Sequence, residues 1–264
     1  MLKKLKRSIN WKLYGILLLV TIIATILGLP YVAGLQGDKI TYSLFFRYIG
    51  ANGLIAALAI YIGLLLGKKI NLDVPILRAY TTGEKLPEDK IKSLVKFAPL
   101  MGLLFGFVIY ATDLLFAPFL EEFSTSIATS GYQFVWWKSI LAAFYGGIFE
   151  EVLLRLFALT FYAWVLTWII AKFKKEEVKE NKTIIWIAII LSALLFGIGH
   201  LPALSAITTL TPLLVFRTVL LNALPGIFFG WLYYKKGLEN AMVSHYFADI
   251  ALHLVMPLFL SLFK

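Results

Sequence analysis

The chain of 264 residues contains no cysteine. A cysteine nucleophile, a disulfide framework and thiolate metal sites are therefore excluded. Histidine is almost as scarce, with three in the whole sequence, and charged residues make up 15%. No HExxH zinc motif occurs, no internal repeat is visible, and no stretch has the Pro, Gly or Ser content of a linker. What fills the sequence is apolar: 60% of residues are hydrophobic and the mean hydropathy is +0.84. Runs such as LYGILLLVTIIATILGL approach the roughly 20 residues that cross a ~30 Å hydrocarbon core. They do not alternate polar and apolar positions, as strands of a membrane β-barrel must. The expected fold is all-α, a polytopic transmembrane helix bundle, because a helix satisfies its own backbone hydrogen bonds in lipid.

Seven apolar segments stand out, over about 12–34, 48–67, 96–118, 138–172, 183–201, 213–234 and 240–262. The fourth would extend ~52 Å as a straight helix, too long for one perpendicular crossing. It is either tilted and extended into the cytoplasm or broken near Phe157–Thr160, which would make eight spans. Loop charge favours seven. Basic residues crowd the N-terminal flank (Lys3, Lys4, Lys6, Arg7, Lys12) and the loop from Lys68 to Lys96. They also follow the fourth segment (Lys172, Lys174, Lys175, Lys179, Lys182) and the sixth (Lys235, Lys236). The stretch 119–137 has no Lys or Arg and carries Glu121 and Glu122. Seven spans with a cytoplasmic N-terminus put every strongly basic loop on the cytoplasmic side. The net charge of +10 therefore reads as membrane orientation, with the bilayer as partner and no nucleic acid. MLKKLKRSINWK begins like a signal peptide, but the run after it is long and shows no small-residue cleavage site, so a retained first helix is expected. A single integral domain over 1–264 follows, in a multi-pass protein of a prokaryotic plasma membrane.

Four further stretches carry local expectations. LPEDKIKSLVK reads as a short interfacial amphipathic helix. STSIATSGYQFVWW ends in aromatics that suit the opposite interface. Gly102-x-x-x-Gly106 and Gly226-x-x-x-Gly230 read as surfaces for close helix packing within the chain.

Ionisable side chains in hydrocarbon are costly and mark function or a partner. Here they are Arg47, Asp113, Glu150, Glu151, Arg155, His200, Arg217, His245, Asp249 and His253. Glu151 and Arg155 stand four apart, acid first, the favourable order for an ion pair along a helix. Glu150 has Gly146, Gly147, Leu153 and Leu154 at the positions one turn away, so no local cation answers it. A carboxylate taken out of water is a stronger base, as a general base requires. The two glycines are expected to leave room beside it for water or substrate. His245 and Asp249 share a helical face. Counted along the helices, Glu150 lies ~12 Å and His245 ~14 Å from the cytoplasmic side, whereas His200 lies ~27 Å from Lys182, too far outward to meet them without tilt or a later point of entry near Trp186. Arg47 reads as a snorkelling residue, Asp113 and Arg217 as candidate ion-pair partners, and His253 as structural.

Glu150-Glu151-x-x-x-Arg155, Phe196-x-x-x-His200 and His245-x-x-x-Asp249, in that order on separate spans, resemble the CPBP family of intramembrane proteases. This family includes the CAAX prenyl endopeptidases of the Ras-converting type and the bacterial Abi proteins. The resemblance covers 138–250, the expected catalytic core. It implies a glutamate-dependent peptidase without cofactor or metal, acting on a membrane-associated peptide or protein. Glu150 would activate water with help from His200, and His245 and the residue at 249 would stabilise the oxyanion. Glu151, Arg155 and Phe196 would support the site. Asp249 stands where many members have Asn. An ionised Asp cannot donate to an oxyanion, so Asp249 is expected to orient His245 and keep it a donor. Two other classes remain open. His200, His245 and a carboxylate are the donor types of a zinc protease, and buried charges also line transporters and channels. A non-proteolytic protein that keeps the fold is a third possibility.

Overall fold

The computed structural model describes residues 9–36, 39–120, 134–174, 181–206 and 208–261. Lys3, Lys4, Lys6, Arg7, Glu121, Glu122, Lys175 and Lys179, and residues 124–133 of the stretch before Trp136, lie outside the described residues. Among the described residues there are helices and no strand, and seven helices are long and apolar enough to cross a membrane. The protein is an integral, multi-pass membrane protein.

In chain order the helices are α1 (Trp11–Gln36), α2 (Tyr42–Ile70) and the short α3 (Pro75–Thr82). Then come α4 (Glu88–Phe119), α5 (Trp136–Lys174), α6 (Lys182–Ser205), α7 (Pro212–Lys236) and α8 (Leu238–Leu260). Side-chain caps fix several starts. Thr41 Oγ1 accepts from Leu44 N at 3.2 Å, Asn181 Oδ1 from Thr183 N at 2.9 Å, and Thr211 Oγ1 from Leu214 N at 3.3 Å. The chain reverses between α7 and α8 at Gly237, whose φ of 96° suits a residue without Cβ.

The long fourth segment is one unbroken helix, so the count among the described residues is seven. Its interior is π-helical over Tyr145–Glu150 and Val152–Leu159 rather than broken near Phe157–Thr160. The expected interfacial helix differs. Glu88–Lys92 runs straight on into α4 through a π-helical turn at Ser93–Phe97, and the separate short helix is α3. Glu239 holds α3 in place, because its Oε1 accepts from Ile76 N and Leu77 N, both at 2.9 Å. A carboxylate at a helix N-terminus answers both the free N–H groups and the dipole.

The basic ends of the helices gather at one end of the bundle. Lys69 lies over the Trp164 ring at 5.4 Å, Lys90 Nζ donates to Lys235 O at 2.6 Å, and Thr160 Oγ1 meets Tyr233 Oη at 3.0 Å. These contacts set Thr160 and Trp164 level with the ends of α2 and α7. The last ten residues of α5, 165–174, therefore extend beyond that level by ~15 Å.

The core is built from α1, α2, α5, α6, α7 and α8, with Ile60, Leu156, Leu159, Ile189, Phe229 and Leu238 among its fully buried members. Small residues let the helix axes approach. A Cβ on Gly106 would lie 2.7 Å from Ala248 O, and one on Gly230 would lie 3.0 Å from Ile189, so α4 packs on α8 and α7 on α6. Large apolar side chains face outward all round, as lipid contact requires.

Candidate active site

The site forms where α5, α6, α7 and α8 meet. Glu151 and Arg155 are wholly buried and paired, Oε1 to Nη1 at 3.2 Å. The same Oε1 accepts from His245 Nδ1 at 2.7 Å. One carboxylate oxygen thus ties α5 to itself and to α8. The Arg155 guanidinium also donates through Nη2 to Gly226 O on α7 at 3.2 Å. Its faces are covered by Phe196, at 4.9 Å, and Phe229, at 5.5 Å. The aromatic faces stand in for hydrogen bonds of the guanidinium, whose Nε and Nη1 are buried without one; Glu151 Oε2 is likewise buried without a partner.

His245 is held from every side. Phe229 stacks on it at 4.6 Å and 18°, and Phe196 meets it edge-on at 5.6 Å and 79°. With Nδ1 committed to Glu151, Nε2 faces Glu150 Oε2 at 3.8 Å and Asp249 Oδ1 at 3.6 Å. Both separations are too long for a hydrogen bond. They leave a gap bounded by two carboxylates and one ring nitrogen. Glu150 is the more open of the two adjacent acids, with 22% of its side chain exposed against 0% for Glu151.

His200 joins through Phe196. Its Nδ1 hydrogen-bonds Phe196 O at 2.8 Å and its ring meets the Phe196 ring edge-on at 4.8 Å. A carbonyl only accepts, so Nδ1 carries the proton and Nε2 of the neutral ring keeps its lone pair. The excessive depth inferred for His200 came from counting from Lys182. α5 itself extends past Trp164, beyond the ends of α2 and α7, so Lys182 at the start of α6 does not mark the level of the basic end. Phe196, one turn before His200, touches His245 directly.

The glycines beside Glu150 do not leave open space. A Cβ on Gly146 would collide with Asp249 Oδ2 and lie 3.4 Å from His245 Nε2, and one on Gly147 would lie 2.8 Å from Met242 O. The missing side chains let α8 lie directly against α5 and bring Asp249 to the site. That correction has a simple physical reason: in a packed bundle a glycine gap is filled by the neighbouring helix.

Four other contributors were not visible in the sequence. Phe229 on α7 carries no motif, and Gly226 on the same helix stood out only as part of a packing surface, not as an acceptor for Arg155. Tyr145 stacks on Phe149 at 4.8 Å, and Tyr48 on α2 lies 6.4 Å from it, ring to ring. Neither tyrosine carries a motif, and a spacing of five residues to Glu150 brings Tyr145 to its face only because the turn is π-helical. Arg217 and Asp113 are indeed partners, bidentate at 2.6 and 2.7 Å between α7 and α4. Arg47 is exposed and donates to Ser43 O at 3.3 Å. His253 packs near Tyr31, ring centroids 6.2 Å apart. Among the described residues no group of three or more His, Asp or Glu side chains has the disposition of a metal site.

Seven spans around a buried cluster of three acids, two imidazoles and a guanidinium define a polytopic helical membrane protein with a polar centre. The segment that builds this cluster carries a family resemblance. The sequence model of the family described as Type II CAAX prenyl endopeptidase Rce1-like matches residues 132–251. Over that segment, which is less than half of the chain, the sequence is similar to the Rce1-like family of membrane-embedded proteases. No curated protein and no solved structure matches the chain.

Proposed function

We propose that the chain is an intramembrane endopeptidase in which Glu150 activates water, without a metal, to hydrolyse a peptide bond of a membrane-tethered peptide or protein. One observation carries this reading: two adjacent acids have opposite surroundings. Glu151 is buried, paired with Arg155 and bonded to His245, while Glu150 is partly open with no hydrogen bond of its own. The first is structural support, and the second is free to move a proton.

Glu150 takes a proton from water as the oxygen attacks the scissile carbonyl. The carbonyl oxygen becomes an oxyanion beside His245 Nε2, whose proton points into the gap between Glu150 and Asp249. Glu150 then returns its proton to the leaving amine, which restores the starting state. His245 cannot rotate, because Glu151 fixes Nδ1 and Phe229 and Phe196 fix the ring, so the donor is preorganised. Asp249 flanks the same nitrogen and supports its charge. His200 Nε2, with its lone pair free, assists at the water. Glu150 lies ten residues from Thr160, ~15 Å inside the basic end, which we assign to the cytoplasmic side. A substrate must bring an extended chain end into the bundle from there. A prenylated C-terminus, the substrate type that the family's name describes, fits that demand, and so does another lipid-anchored peptide.

The test is cleavage of a fluorogenic, membrane-anchored peptide by purified protein in nanodiscs. Cleavage is expected to persist in EDTA and phenanthroline and to vanish in Glu150→Gln. Equal cleavage by that variant would falsify the assignment, and loss of cleavage in chelators would point to a metal site instead.

A further inference from the structure

Glu150 is a carboxylate that accepts no hydrogen bond among the described residues, and His245 Nε2 stands 3.8 Å from it. Its side chain is largely shielded, with 22% exposed, and an acceptor with so little access to water gains from a donor. Close by is a buried donor in the same condition. Tyr48 Oη is shielded from solvent and has no hydrogen-bond partner. Between them lies Tyr145. The Tyr48 and Tyr145 hydroxyls are near enough to interact, though not at hydrogen-bonding geometry, and both lie within coulombic reach of Glu150.

The backbone explains the juxtaposition. Tyr145 and Glu150 open and close one π-helical segment. In an α-helix, residues five apart diverge by ~140° at ~100° per residue. A π-turn bonds i to i+5 and brings those two positions back to one face. Tyr145 is then fixed by stacking on Phe149 and by Gly28 of α1, where a Cβ would lie 2.7 Å from the Tyr145 Cβ. Tyr48 reaches the same place from α2, with the rings 6.4 Å apart.

We propose that Tyr145 and Tyr48 are positioning residues for Glu150, a phenol pair whose hydroxyls donate toward its carboxylate and fix the orientation in which it accepts the proton of water. Neither phenol exchanges a proton with substrate. The kinetic consequence rests on Glu150 being the base, but the hydrogen bond itself does not.

Two measurements separate these. The first is the infrared carboxylate band of Glu150, isolated in glutamate-labelled protein as the difference between wild type and Glu150→Gln. The band is expected to shift in Tyr145→Phe and in Tyr48→Phe, since each loses one hydroxyl and keeps the ring. A band unchanged in both variants overturns the pair whether or not the protein is active. If Tyr145→Phe is not recovered folded, Tyr48→Phe alone decides. The second is kinetics on the anchored peptide. A lost hydrogen bond to a charged group corresponds to a fall of about 10- to 100-fold in kcat, with KM unchanged. A rise in KM at constant kcat would mean that the phenols contact substrate instead, and would overturn a positioning role. Equal cleavage by wild type and Glu150→Gln would remove the function proposed for Glu150, and the infrared result would still stand for or against the phenols.

Discussion

Glu151 uses one oxygen twice, in an ion pair with Arg155 at 3.2 Å and in a hydrogen bond with His245 at 2.7 Å, and both partners depend on it. Removing the cation leaves a fully buried carboxylate uncompensated. Arg155→Ala is expected to cost about 3–5 kcal/mol, seen as a large fall in thermal midpoint of the detergent-solubilised protein. A midpoint within about 2 °C of wild type would show that Glu151 is neutralised in another way. Asp249 sets a second test. It flanks His245 at 3.6 Å while Glu151 already fixes the other ring nitrogen. Asp249→Asn is therefore expected to keep substantial proteolysis, because the amide has the same shape and adds a donor. A loss as deep as that of Glu150→Ala would mean the carboxylate itself is required. Gly146→Ala places a methyl where Asp249 Oδ2 sits. Activity is expected to fall at least tenfold in a protein that still folds, and unchanged turnover would show that α8 can yield there.

At the scale of elements, the sequence displayed its spans plainly, because a run of apolar residues can be satisfied in lipid in few other ways. Charge pairing along one helix was equally readable. Glu151 and Arg155 are four apart, and that spacing alone predicts their contact. Pairing between helices was not. Nothing in the spacing of Asp113 and Arg217 shows that α4 and α7 meet there, and nothing near Tyr48 shows that α2 delivers a phenol to Glu150. The π-helical turns were also invisible, since they change the angular period without changing composition. The short helix α3 was missed because its anchor, Glu239, lies 163 residues away from Ile76. Its dependence is testable. Glu239→Ala removes the acceptor for two N–H groups, a loss of about 1–2 kcal/mol for a cap. Hydrogen exchange over residues 75–82 is expected to speed up, with the rest of the bundle unaffected. Unchanged exchange would mean that Gly237 and Pro75 hold the helix unaided.

For the whole molecule, the family match and the polar centre coincide. Residues 132–251 run from α5 into α8, and these four helices supply Glu150, Glu151, Arg155, Phe196, His200, His245 and Asp249. Helices α1 to α4 complete the bundle around them, and α2 adds Tyr48. The orientation we assign, with the basic end in the cytoplasm, follows from loop charge. The absence of native cysteine makes it simple to check. Lys69→Cys and Lys235→Cys are expected to react with an impermeant maleimide only from the cytoplasmic side, and Ala117→Cys only from the other. The reverse pattern would place the entrance to the site on the far side and change the class of substrate that can reach it.

The π-helical turn at Tyr145–Glu150 also bears on how the chain tolerates change in length. Such a turn holds one residue more than an α-helix needs for the same hydrogen-bonded advance. Deleting a residue within 145–150 would let the helix relax to its commoner form, a change that hydropathy would not register. All positions before the deletion would turn by ~100° relative to Glu151 and Arg155. Tyr145 would leave the face of Glu150, and the tryptophans at 136 and 137 would meet different neighbours. The extra residue acts as a phase setting for the helix: it fixes which side chains upstream share a face with the acids, and a shortened helix could span the membrane equally well with its site out of register.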